Sequence, residues 1–310
     1  MCFRRIFCMA LLAAALPSTA FGDDEPSEPR KLITPIQATI LGVVEGLTEY
    51  LPVSSTGHLV LADQLLGLRD QSKYSEDEYS AIEAYEIVIQ GGAILAVLLL
   101  YMKYVLAMIQ GLVGENPAGR KLLINVIAAF MPAAVIGLLV HKLIKTYLQS
   151  TMPVVGALAV GGVVMILFER SRMAKARRQS GFGLHLLSVK QAVIIGFAQC
   201  VSMWPGTSRS MMTILAGMVV GMNPVAAAEF SFLLGLPTLL AATAFKIKKE
   251  GHVLWAHIDP TSMVLGGVVA AVTAAFAVKA LVGWLNRHGL TPFGWYRVAL
   301  AIVVLWFLHN

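Results

Sequence analysis

The sequence predicts an all-α polytopic membrane protein made of two inverted-topology repeats, with six transmembrane helices and two re-entrant helical hairpins. Three observations carry that prediction. Apolar residues make up 57% of the 310-residue chain and charged residues only 14%, too few charges to cover the surface of a soluble globule. Six stretches are long and apolar enough to cross a bilayer, roughly 82–102, 122–140, 152–168, 225–245, 262–285 and 294–309. Two further apolar stretches, 36–67 and 187–221, are each broken near the middle by a polar, Pro/Gly-containing knot. This composition excludes a disordered chain, a disulfide scaffold and an ordinary cytosolic enzyme. The net charge of +6 reads as Lys/Arg-rich loops rather than nucleic-acid binding, because the basic residues are not interleaved with aromatics. Cys2, Cys8 and Cys200 suggest neither a disulfide nor a cysteine metal site.

In chain order, residues 1–22 read as a secretory signal peptide. Arg4 and Arg5 form its charged start, Ile6 to Leu16 its apolar core, and Ser18-Thr19-Ala20 a small-residue cleavage site. Residues 23–34 form an acidic, disordered tail that would lie outside the cytoplasm. The first repeat spans 35–168 and consists of the broken stretch 36–67 plus three spans. A basic loop, 169–186, opens with Glu-Arg-Ser-Arg-Met-Ala-Lys-Ala-Arg-Arg and is expected on the cytoplasmic side. The second repeat, 187–310, mirrors the first. Counting spans from the basic loop puts the mature N-terminus on the periplasmic or extracellular side.

The repeat is visible in the residues. Gln37-Ala-Thr-Ile-Leu-Gly42 matches Gln191-Ala-Val-Ile-Ile-Gly196 at an offset of 154. The offset is expected to slip by one before the knots, pairing Pro52 with Pro205 and Ser55 with Ser208. An odd number of spans inverts the second copy, so the two broken hairpins enter from opposite faces and meet near the midplane. Irregular backbone survives at that depth only when buried in protein or lining a wet cavity.

The knots carry the chemistry. Glu45 and Glu49 lie one helical turn apart on a shared face. Pro52 then ends the helix, and Ser54, Ser55, Thr56 and His58 follow within reach. In the second knot Pro205-Gly206 breaks the helix, Thr207, Ser208 and Ser210 supply hydroxyls, and Arg209 supplies a fork suited to phosphate oxygens. An Arg209 ion pair with Glu45 or Glu49 is an alternative reading that can coexist with phosphate binding in the empty protein. The two acids suit a divalent cation, Mg²⁺ or Ca²⁺, and would be its ligands. His58 suits a general acid/base or a nucleophile; Ser55 suits a nucleophile activated by it. Glu86 and Gln90, one turn apart, are candidate cavity residues, and Thr213 is a candidate to orient Arg209. The catalytic set is therefore Ser55, His58, Glu49, Glu45 and Arg209. The substrate-binding set is Ser54, Thr56, Thr207, Ser208, Arg209, Ser210, Thr213, Glu86 and Gln90. This set suggests phosphoryl transfer to water on a lipid-linked pyrophosphate, whose tail stays in the bilayer. A non-enzymatic alternative is a lipid-phosphate flippase, since inverted repeats and broken helices mark many transporters.

The segments Glu45-Gly-Leu-Thr-Glu-Tyr-Leu-Pro-Val-Ser-Ser-Thr-Gly-His58 and Pro205-Gly-Thr-Ser-Arg-Ser-Met-Met-Thr213 resemble the two signatures of the undecaprenyl pyrophosphate phosphatase family, the BacA bacitracin-resistance proteins. Glu86-Ile-Val-Ile-Gln90 and Glu229-Phe-Ser-Phe-Leu-Leu resemble its flanking segments. The similarity runs from about Pro35 to the C-terminus. It implies hydrolysis of undecaprenyl pyrophosphate to the monophosphate carrier used in peptidoglycan synthesis, loss of the bacitracin target, a divalent cation, an inner-membrane location and a homodimer. By position, Glu45, Glu49, Ser55, His58 and Arg209 match the family's essential residues; Ser54, Thr56, Ser208, Ser210 and Thr213 match its supporting ones. Whether serine or histidine is the nucleophile stays open. Met211 stands where glycine is common in the family, which would narrow the second knot. Type 2 phosphatidic acid phosphatases are excluded, because no His or Asp follows Arg209 until His252.

Overall fold

The computed structural model describes residues 31–69, 73–148 and 150–309. The expected signal peptide and most of the acidic tail, with Cys2 and Cys8, lie outside the described residues. The described chain is helical apart from its loops and one isolated bridge, Phe182 to Met222. The helices are α1 (Pro35–Thr48), α2 (Ser55–Leu65), α3 (Glu76–Leu100), α4 (Met102–Leu112), α5 (Pro117–Tyr147) and α6 (Thr151–Arg170). They are followed by α7 (Arg172–Ser180), α8 (Val189–Val201), α9 (Arg209–Val220), α10 (Pro224–His257), α11 (Pro260–Leu285) and α12 (Thr291–His309), with a 3₁₀ turn at Leu184–Leu186.

Five of the described helices, α3, α5, α6, α10 and α11, are long and apolar enough to cross a membrane. They coincide with five of the six expected spans. The apolar stretch of the C-terminal helix, Thr291–Phe307, is shorter than those five. Side chains such as Leu139 (75% exposed) and Leu138 (73%) project outward, as befits a surface solvated by lipid rather than water. The basic loop contains a helix of its own, α7. Ser171 caps it, Arg178 pairs with Glu169, and the Arg177 Nε donates to the Met218 carbonyl at the end of α9.

Both broken stretches fold as helix, break, helix, and they do so with the same local devices. Thr34 and Ser188 cap α1 and α8 through capping boxes closed by Gln37 and Gln191. The same two glutamines then reach across their hairpins, Gln37 Nε2 to the Leu66 carbonyl (3.4 Å) and Gln191 Nε2 to the Val220 carbonyl (2.9 Å). Gly42 and Gly196 allow close packing. A Cβ on Gly42 would lie 2.5 Å from the Gly266 carbonyl oxygen of α11, and one on Gly196 would lie 2.3 Å from the Ala129 oxygen of α5. Ser54 (φ 73°) and Ser208 (φ 77°) are the two non-glycine residues with positive φ among the described residues. Each caps the returning helix, accepting from the Gly57 and the Met211 N–H respectively. Every one of these pairs keeps the offset of 154. The expected slip is thus corrected: Ser54, not Ser55, is the counterpart of Ser208, and Ser55 is the counterpart of Arg209. Within the second break Gly206 adopts φ 93°, and a Cβ there would meet the Val154 carbonyl of α6.

Candidate active site

The two breaks meet. Both hairpins put their first returning-helix residue, Ser55 on α2 and Arg209 on α9, against the end of α1. The Arg209 Nη2 donates to Glu49 Oε1 at 2.9 Å, and the Ser55 hydroxyl donates to Glu49 Oε2 at 2.7 Å. One carboxylate therefore joins the serine of one hairpin to the guanidinium of the other. Glu49 is 7% exposed and Glu45 1%, so this is charge held away from water. The Arg209 guanidinium offsets the Glu49 charge.

The second hairpin fixes Arg209 from several directions. Its Nη1 donates to the Ser231 carbonyl of α10 at 2.9 Å, and its guanidinium lies 5.2 Å from the centroid of the buried Tyr50 ring. Thr213 bonds the Ser231 hydroxyl at 2.6 Å and donates to the Arg209 carbonyl at 2.9 Å. Thr213 thus acts on Arg209 through Ser231, a residue that sequence reading did not single out. Ser210 donates to the Leu51 carbonyl in the first break at 2.7 Å and lies 3.1 Å from Ser208, tying break to break.

His58 is placed differently from the sequence expectation. Its Nδ1 lies 2.7 Å from the Ser54 carbonyl and its Nε2 lies 2.6 Å from the Tyr296 hydroxyl of α12. A carbonyl can only accept, so Nδ1 carries the proton, and Nε2 of the neutral ring accepts from Tyr296. The Tyr296 ring stacks on the imidazole at 13°. Ser55 therefore bonds Glu49 rather than His58, which corrects the serine–histidine pairing. Tyr296 had gone unnoticed because a tyrosine in an apolar span reads as an interface residue. Its neighbour Arg297, fully buried, was missed for the same reason.

Of the remaining candidates, Gln90 turns its amide toward Glu45, which lies within electrostatic reach of Glu49 and Arg209. Glu86 instead faces Asp63, whose carboxylate also lies 3.7 Å from the Arg69 Nε. Thr207 is buried and Thr56 is exposed. Met211 is buried against α6, near Gly161. A cavity of about 540 Å³ lies apart from this cluster and shares no residue with it; Tyr104, Lys121, Asn125, His185 and Glu229 are among its lining.

Among the described residues, no group of three or more His, Cys, Asp or Glu is gathered to hold a metal ion. The pair Glu45 and Glu49 nonetheless suits a hard cation that takes its other ligands from phosphate oxygens and water. Glu45 Oε1 is buried without a hydrogen-bond partner, an oxygen that a cation would satisfy.

Residues 38–303 match the protein family described as Bacitracin resistance protein BacA. The chain belongs to the BacA family. It is 44% identical over 270 residues to the undecaprenyl-diphosphatase of Sorangium cellulosum (strain So ce56), covering 87% of this chain and 85% of that protein. It is 41% identical over 274 residues to undecaprenyl-diphosphatase 2 of Rhodospirillum rubrum, covering 88% and 95%. It is 41% identical over 271 residues to the undecaprenyl-diphosphatase of Nitrosomonas europaea, covering 87% and 93%. The BacA match spans both breaks and reaches past Tyr296 and Arg297, so the whole cluster falls inside the family region.

Proposed function

We propose that this protein is an integral membrane phosphatase that hydrolyses undecaprenyl diphosphate to undecaprenyl phosphate and orthophosphate. The observation that carries this reading is the bridge from Ser55 through Glu49 to Arg209. It sets a hydroxyl, a base and a phosphate-binding fork around one point. The names of the relatives supply the substrate, and they do not favour the flippase alternative.

Ser55 is the nucleophile. Its proton passes to Glu49 Oε2 as Oγ attacks the terminal phosphorus. The bond from that phosphorus to the bridging oxygen breaks, and lipid monophosphate leaves. Water then attacks the phosphoserine, freeing orthophosphate and restoring the hydroxyl. Arg209, released from Glu49 by the incoming phosphoryl group, binds its equatorial oxygens. The free N–H groups at the start of α2 and α9 add positive potential at the same point. His58, with Tyr296 on its Nε2, moves a proton to or from the departing and arriving oxygens. Glu45 and Glu49 would hold a divalent cation, Mg²⁺ or Ca²⁺, which neutralises diphosphate charge when bound.

The same reading makes α1–α2 and α8–α9 re-entrant hairpins. At 14, 11, 13 and 12 residues, and roughly 1.5 Å per residue, none reaches across the roughly 30 Å hydrocarbon core. With α12 as a sixth span, the halves 35–168 and 187–310 are inverted copies flanking the basic loop. That loop is cytoplasmic, and the enzyme is a homodimer of the bacterial inner membrane.

The test is phosphate release from undecaprenyl diphosphate by purified protein in detergent, with and without chelator. Release that chelation and Arg209→Ala both abolish supports the enzyme. Folded protein that releases nothing with Mg²⁺ or Ca²⁺ present overturns it.

A further inference from the structure

Arg209 arrives with its counter-ion; Arg297 does not. Arg297 on α12 is 0% exposed, and among the described residues no carboxylate lies within ion-pair distance of it. Its partners are backbone carbonyls. Nε donates to Leu158 at 3.3 Å, and Nη2 donates to Ala157 at 3.2 Å and to Gly206 at 2.9 Å. Nη1 is buried with no partner. A buried guanidinium without a balancing charge is costly, and three carbonyls offset only part of that cost.

Its position relates it to the site. Gly206 belongs to the second break, three residues before Arg209. Tyr296, the adjacent residue of α12, bonds His58, which stands three residues after Ser55. Consecutive residues of one helix thus grip both breaks. The unbalanced charge sits on the α6–α12 side of the cluster, while the Glu49–Arg209 pair sits on the α1–α10 side. Gly161 of α6 is shaped around it, since a Cβ there would lie 2.3 Å from Arg297 Nη2.

We propose that Arg297 is a second anion-binding residue, and that it takes the phosphoryl group that remains on the lipid while Arg209 takes the one transferred. This rests on the diphosphatase reading above and assigns the two halves of the diphosphate to two arginines. When the terminal phosphoryl leaves, the lipid monophosphate gains charge on the former bridging oxygen. Arg297, buried at the second break with Nη1 unpartnered, would be a pre-placed cation for that charge. It also explains how the site would select a diphosphate over a monophosphate: only the former engages both arginines.

The test compares wild type, Arg297→Gln, Arg297→Lys and Gly161→Ala in detergent. Readouts are turnover, Kd for undecaprenyl phosphate and protection by orthovanadate, a probe of the transferred-phosphoryl position. The expected result for Arg297→Gln is a loss of turnover of about 10²-fold or more. Lipid monophosphate affinity should fall at least tenfold, with orthovanadate binding unchanged. Arg297→Lys should recover part of both losses. Gly161→Ala displaces the guanidinium and keeps its charge, so it should reproduce the loss even if Arg297→Gln fails to fold. Folded Arg297→Gln or Gly161→Ala protein that binds undecaprenyl phosphate as wild type does overturns the assignment. So does equal loss of orthovanadate and lipid monophosphate affinity, which marks a structural role. If wild type hydrolyses no undecaprenyl diphosphate, the underlying reading fails instead.

Discussion

The first and second hairpins use one backbone device for opposite chemistry. Each has a capping box, a cross-hairpin glutamine bond, a tight glycine and a strained serine cap, 154 residues apart. Yet the residue that follows the cap is Ser55 in one and Arg209 in the other. The acids Glu45 and Glu49 stand in the first hairpin; at the same offset the second has Gln199 and Met203. The difference teaches that the repeated part is the scaffold, and that division of labour arises at a few side chains. In the proposed reaction a nucleophile and its base come from one copy, and a phosphate clamp from the other.

The most direct way to break this comparison is to remove each side of the bridge. Arg209→Ala and Ser55→Ala should each lower turnover in the detergent assay by roughly 10³-fold. Arg209→Lys should still cost roughly 10²-fold, because an ammonium cannot fork to Ser231 and phosphate together. If Ser55→Ala keeps a tenth of wild-type turnover, the nucleophile lies elsewhere and the hairpins are not divided in this way.

A second pair of variants tests the shared scaffold. Ser54 and Ser208 hold backbone angles that cost a non-glycine residue roughly 1–3 kcal/mol. Glycine removes that strain and loses only a few tenths as a cap, whereas alanine keeps the strain and loses about 1 kcal/mol of capping. Thermal unfolding in detergent should therefore rise for Ser54→Gly and Ser208→Gly and fall for Ser54→Ala and Ser208→Ala, by similar amounts in the two hairpins. A gain in one hairpin matched by a loss in the other would show that the scaffolds are not equivalent. Gly42→Ala and Gly196→Ala should both destabilise, by about 1–3 kcal/mol, because the new methyl meets a fixed carbonyl.

Much of this was legible in the residues. Helical class and the two breaks follow from apolar runs interrupted by Pro, Gly and hydroxyl residues. A pairing of Arg209 with Glu45 or Glu49 was legible as one reading of charge in an apolar stretch, but which of the two acids was not. The exact register of the breaks was not legible, because prolines offset by 153 suggest a slip that the flanking pairs, all 154 apart, do not show. Nor was the orientation of His58, which depends on a hydroxyl 238 residues away. Tyr296 and Arg297 lie in an apolar helix at the chain's end, and no local pattern distinguishes an inward-facing tyrosine and arginine from an interface pair. Glu86 had a plausible spacing toward Gln90, but Asp63 on the neighbouring hairpin engages it first, and a contact between helices is not written in either one.

The smallest expected effect concerns His58, the side chain of the first hairpin that α12 holds through Tyr296. Tyr296→Phe keeps the ring stacked on His58 and deletes only the hydroxyl that donates to Nε2. A hydrogen bond of this kind contributes about 0.5–1.5 kcal/mol. Turnover should then fall roughly twofold to tenfold, with little change in unfolding temperature and no change in orthovanadate binding, since neither Arg209 nor its partners are touched. The comparison sharpens if Tyr296→Phe and His58→Ala are combined. If Tyr296 acts on turnover through His58, the double variant should be no slower than His58→Ala alone. A further loss in the double variant would mean that Tyr296 meets the substrate itself. The first hairpin would then owe its proton transfer to a residue outside the repeat's shared scaffold.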